Sequence, residues 1–66
     1  MLKKGDHVQW KTQNGDTHGI IIKVHQKDFI FMNRQRRASE SEPQYEVTSE
    51  KTGKKAVHKA SALKKI

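Results

Sequence analysis

The sequence predicts a small all-β barrel of five short strands. Three observations carry that prediction. Apolar and polar residues alternate at period two in His7–Lys11 and Gln44–Thr48, the pattern of a strand with one buried face. β-Branched and aromatic residues concentrate in two short runs, Ile20–Ile22 and Phe29–Met32, and such residues fit a pleated sheet better than a helix. Turn residues punctuate the chain at Gly5-Asp6, Asn14-Gly15, Gln26-Lys27-Asp28 and Gly53. Short strands joined by tight turns within 66 residues suit a small barrel.

Taken in order, Met1–Lys4 is a basic lead-in, frayed apart from Leu2, and Lys4-Gly5-Asp6 is a turn. His7–Lys11 follows as a strand with Val8 and Trp10 on one face and His7, Gln9 and Lys11 on the other. Asn14-Gly15 predicts a tight hairpin of type I′, because both residues tolerate positive φ. The chain returns as Thr17–His25, with Ile20, Ile22 and Val24 sharing one face and Ile21, Lys23 and His25 the other. Gly19 within it predicts a bulge or sharp bend. Phe29–Met32 is a third strand that periodicity does not phase, since all four residues are apolar. Asn33–Glu42 has no apolar period and precedes Pro43; it reads as an exposed loop that is free to extend the strand on either side.

The last third carries the most legible unit. Gln44–Thr48 and Lys54–His58 flank Ser49–Gly53, a hairpin with a polar tip and a glycine where the turn rejoins the strand. Tyr45 and Val47 share its inward face. Ala60–Leu63 is long enough for a single 3-10 turn, not for a stable helix. A lysine-rich strand closes the chain.

Composition bounds the possibilities. At 66 residues the chain is one domain, 1–66, with sixteen larger apolar residues for its core. The absence of cysteine removes disulfides and thiolate metal sites. The apolar runs fall far below the ~20 residues that a membrane helix needs, so a cytoplasmic protein without a membrane partner is expected. The net charge is +7, and it is lopsided: six lysines and no acid follow Glu50. A basic excess in one segment is the electrostatic footprint of an anionic partner, although lysines also serve solubility.

Several motifs have a recognisable source. Lys3-Lys4-Gly5-Asp6-His7-Val8-Gln9-Trp10, the Gly15–Gly19 approach to an isoleucine-rich strand, Pro43-Gln44-Tyr45, Lys51-Thr52-Gly53-Lys54-Lys55-Ala56, His58-Lys59 and Ala62-Leu63 together resemble the small bacterial hypervirulence-associated Tudor-domain family. The resemblance covers nearly the whole chain. It implies a five-stranded SH3-like (Tudor-like) barrel with a short 3-10 turn before the last strand, and it implies little chemistry. The middle departs from the family pattern: Phe29–Arg37 is more aromatic and richer in arginine, and Ala60 stands where proline is expected.

No nucleophile stands beside a base, no carboxylates are paired and no glycine-rich phosphate loop exists. The histidines, His7, His18, His25 and His58, lack metal-site spacing and read as surface strand residues. No enzyme, metal site or cofactor is expected. The expected function is a monomeric binding module for nucleic acid or another polyanion, using Lys51, Lys54, Lys55, Lys59, Arg34, Arg36 and Arg37. The alternative is a protein or peptide adaptor of the Tudor type, using an aromatic surface drawn from Phe29, Phe31, Trp10 and Tyr45. Alternation turns Trp10 and Tyr45 inward, which leaves one of the phenylalanines for such a surface.

Overall fold

The computed structural model describes residues 2–66; Met1 of the expected lead-in lies outside them. Among the described residues the chain forms seven strands. β1 (His7–Thr12), β2 (Gly15–His25), β5 (Gln44–Ser49), β6 (Lys55–Lys59) and β7 (Lys64–Lys65) make one antiparallel sheet in the order β6-β5-β2-β1-β7. β3 (Phe29–Phe31) and β4 (Arg34–Arg36) pair only with each other. The strands β6 and β7 lie at opposite edges of the large sheet, yet only a 3-10 turn, Ala60–Ala62, and Leu63 separate them. The sheet therefore curls until its edges nearly meet.

The concave face holds the core. Val8, Ile21 and Val47 are fully buried, and Trp10 and Tyr45 nearly so; Leu2, Val24, Ala56 and Leu63 pack around them. These side chains come from β1, β2, β5 and the edge strand β6, with Leu63 just before β7, so burying them together is what favours the curl. Asp6 ties the chain's entry to this sheet. Its carboxylate accepts the Lys3 backbone N–H at 3.0 Å and lies 3.8 Å from Lys65 Nζ. Its carbonyl accepts the Ile21 N–H at 3.0 Å.

Four local details differ from the sequence reading, each for a physical reason. The β1–β2 turn is centred on Gln13-Asn14, and Gly15 alone takes a positive φ, +109°. Thr12 Oγ1 organises this turn by accepting the Asn14 N–H and donating to the Gly15 carbonyl. The irregularity in β2 falls between Ile21 and Lys23, not at Gly19. Ile22 is the extra residue, and it switches the phase of the strand. Ile21 thus points into the core before the bulge and Val24 packs on it after the bulge, in place of a single Ile20, Ile22 and Val24 face.

Arg34–Arg36, expected in a loop, forms β4 because Met32-Asn33 makes a two-residue turn with φ of +51° and +64°. Gln44, expected on a wet face, is buried; its side-chain N–H donates to the Arg37 carbonyl, which satisfies it.

Candidate functional site

The lysine-rich tip of the β5–β6 hairpin and the β1–β2 turn form the two walls of an open groove of about 440 Å³. Lys51, Lys54 and Lys55 line one wall. Thr12, Asn14, Asp16 and Thr17 line the other, and Trp10 and Ala56 reach its floor from the core. The three lysines are exposed. They gather because the hairpin turn is tight. The Gly53 N–H donates to the Ser49 carbonyl at 2.8 Å and the Ser49 N–H to the Lys54 carbonyl at 2.9 Å, with Gly53 at φ +72°.

The walls are fastened to each other from outside. The Glu50 carboxylate lies between two imidazoles, 3.2 Å from His7 Nδ1 and 3.1 Å from His18 Nδ1. The Glu50 N–H also donates to the His18 carbonyl at 3.1 Å. Nearby, Thr17 Oγ1 and Ser49 Oγ are 3.4 Å apart. The two turns that carry the groove are thus tied to each other by the strands beneath them. Its polar wall supplies hydroxyl and amide groups, and its basic wall supplies point charges. Such a surface suits phosphate, with one carboxylate, Asp16, to limit it.

The remaining basic residues lie elsewhere. Lys55 is opposite Thr48 and Lys59 opposite Gln44, so four residues, about 13 Å of strand, separate them. Gln44 bonds to Arg37 and pairs with His25, on which Phe29 stacks with ring centroids 3.7 Å apart. Lys59 and the arginine hairpin therefore occupy one end of the β5–β6 pair and the three lysines the other. Arg34 and Arg37 are exposed, whereas Arg36 is half-buried and its Nε has no hydrogen-bond partner.

The aromatic side chains do not converge. Trp10 and Tyr45 are core residues. Phe29 and Phe31 are two residues apart on one strand, so they share a face, and both are half-buried. The exposed large apolar residues of that hairpin are instead Ile30 and Met32, at 76% and 70%. The exposed aromatic needed for a peptide or methyl-lysine contact is not among the described residues, nor is any cluster of three metal-ligating side chains.

The sequence reading missed His58. It shares the inward face with Ala56 and Tyr45, and its ring centroid is 5.6 Å from that of Trp10. Its Nε2 is buried without a partner. Burial, and secondarily the Arg36 charge, push its pKa below the ordinary 6.5. The period-two pattern of β6 was the available signal, since His58 is two residues from Ala56. A depressed folded pKa means that the unfolded chain takes the proton more readily. The His58 contribution to stability is therefore present above about pH 6.5 and declines as pH falls from there toward the lower folded value. Comparing urea midpoints across pH 5–8 (about the window of histidine titration) should show a smaller decline in His58→Gln than in wild type.

The fold is a curled antiparallel sheet that presents an open polar groove between two hairpin turns. A family model for the hypervirulence associated proteins TUDOR domain matches residues 5–63, and the chain belongs to that family. Tudor domains are generally non-catalytic binding modules, and the all-β architecture with a 3-10 turn before the last strand agrees with that fold. No curated protein and no solved structure matches the chain significantly.

Proposed function

We propose that this Tudor domain binds nucleic acid through its phosphate backbone, with the lysine groove as the primary contact. The carrying observation is the convergence of Lys51, Lys54 and Lys55 on one groove whose opposite wall offers Asn14 and Thr17. Lysine ammonium groups meet phosphate charge, and hydroxyl and amide groups donate to phosphate oxygens. The +7 net charge adds long-range attraction to any polyanion. Contacts of this kind fix a domain on a strand without reading its sequence. Arg34, Arg37 and Lys59 form a secondary basic patch that extends the track.

The test is an amide NMR titration of labelled protein with a short DNA duplex at low and at physiological salt. Shifts should cluster on Lys51–Lys55 and Thr12–Thr17 and shrink as salt rises, because each phosphate contact releases a counterion. A spectrum that does not move even at low salt would overturn the proposal and leave the lysines as solubilising charge.

A further inference from the structure

The β3–β4 hairpin carries a combination of features that the fold does not require. It is a two-stranded ribbon hydrogen-bonded to no other strand. The cross-strand pairs Phe29–Arg36 and Phe31–Arg34 lie on one face and Ile30–Gln35 on the other. Ile30 and Met32 are two of the most exposed large apolar side chains among the described residues. Met32 also holds φ at +51° in the turn, a region that asparagine or glycine enters more easily. The turn alone would favour one of those residues, so methionine sits at the apex against its backbone preference. From Phe29 to Arg37 there are three arginines and no acid.

From these observations we infer that the ribbon is a duplex-binding arm. Ile30 and Met32 wedge against a base step, while Arg34 and Arg37 hold the flanking phosphates. This inference rests on the nucleic-acid reading above. A two-stranded ribbon is narrow enough for a DNA groove. Apolar side chains such as isoleucine and methionine, inserted from the minor groove, unstack a step and bend the duplex. Bending then brings more backbone to a basic surface.

An anionic bilayer is the competing occupant, and two observations weigh against it. Two side chains offer little anchoring, since even a single myristoyl chain binds membranes only marginally. The lysine groove lies at the other end of the β5–β6 pair: about 13 Å of strand separates Lys55, beside it, from Lys59, at the ribbon's end. A linear polyanion with one charge per ~3.4 Å of each strand passes from one basic site to the other, whereas a flat surface at the apex does not.

The test compares wild type with Ile30→Thr/Met32→Asn, changes that suit a strand and a positive-φ turn and so preserve the fold. The probes are an end-labelled duplex that reports bending by energy transfer, and the same duplex with a central mismatch. Wild type should bend the duplex and bind the mismatched one about tenfold more tightly, because a mismatch lowers the unstacking cost. The variant should still bind the matched duplex through the lysine groove, with a shallower salt slope, and lose both the bending and the preference.

Binding by wild type without bending or mismatch preference would overturn the wedge and leave the groove proposal standing. No binding at all would overturn both. Binding of wild type, but not the variant, to phosphatidylserine–phosphatidylcholine vesicles, with no duplex bending, would overturn the arm in favour of a lipid contact.

Discussion

Gly19→Ala is expected to destabilise the domain by roughly 3 kcal/mol or more, the upper range for overpacking. Gly19 sits in β2 between Val8 of β1 and Ser49 of β5. A methyl group there would lie 1.9 Å from the Thr48 carbonyl oxygen, 2.8 Å from its carbon and 3.0 Å from Trp10 Cη2. Two of these atoms are backbone, so no rotamer change relieves the clash. The β2–β5 pairing, which joins the two halves of the large sheet, would have to open. A chain this short has roughly 3–10 kcal/mol of stability in total, so the loss is a large fraction of it. Thermal unfolding should shift down by about 12–24 °C. Gly53→Asn is the matching control: its site is open space at φ +72°, which asparagine tolerates. A Gly19→Ala protein within about 1 kcal/mol of wild type, near the usual size of a point-mutation effect, would refute this account of the sheet.

The largest functional effect is expected from Lys54→Glu/Lys55→Glu. The two lysines line the groove and are exposed. Reversing both changes the local charge by four units. At about 1 kcal/mol per unit for solvent-exposed charges near contact, the loss is roughly 4 kcal/mol, or about a thousandfold in affinity for a DNA duplex at low salt. The dependence of log affinity on log salt should also flatten by about 2, one unit per lost phosphate contact. Stability should change by no more than about 0.5 kcal/mol, as for ordinary surface substitutions. Lys3→Glu/Lys4→Glu alters net charge equally but lies outside the groove. If that control weakens binding as much as the groove variant does, attraction is global and the groove is not the site. Fluorescence anisotropy with a labelled duplex reads all three proteins.

Much of the site was legible before the fold. Lys51, Lys54 and Lys55 surround a short turn in sequence, so any hairpin there brings them together, and the spacing of Gln44–Thr48 and Lys54–His58 predicts that hairpin. The opposite wall was not legible as part of the site. Thr12–Thr17 is more than thirty residues away and joins it only because β2 pairs with both β1 and β5. The second hairpin was hidden for a different reason. Its positive-φ turn is Met32-Asn33, a pair with no strong turn signature, whereas the Asn14-Gly15 signal belongs to a turn in which Gly15 alone goes left-handed. Turn type depends on how the flanking strands register, and local composition is only one input to it.

By itself the sequence determined the class of fold, the inward pairs Val8–Trp10 and Tyr45–Val47, the 3-10 closure and the concentration of lysine at one hairpin. These follow from period-two alternation and from short-range chain geometry, which act within a few residues. Only the tertiary structure decided that Ile22 bulges and resets the face of β2. It likewise set His58 against Trp10, and it parted the arginines and Lys59 from the other lysines along the β5–β6 pair. Each of those outcomes depends on strand register between segments distant in the chain. Register is selected by burying the whole core at once, so no local stretch encodes it alone.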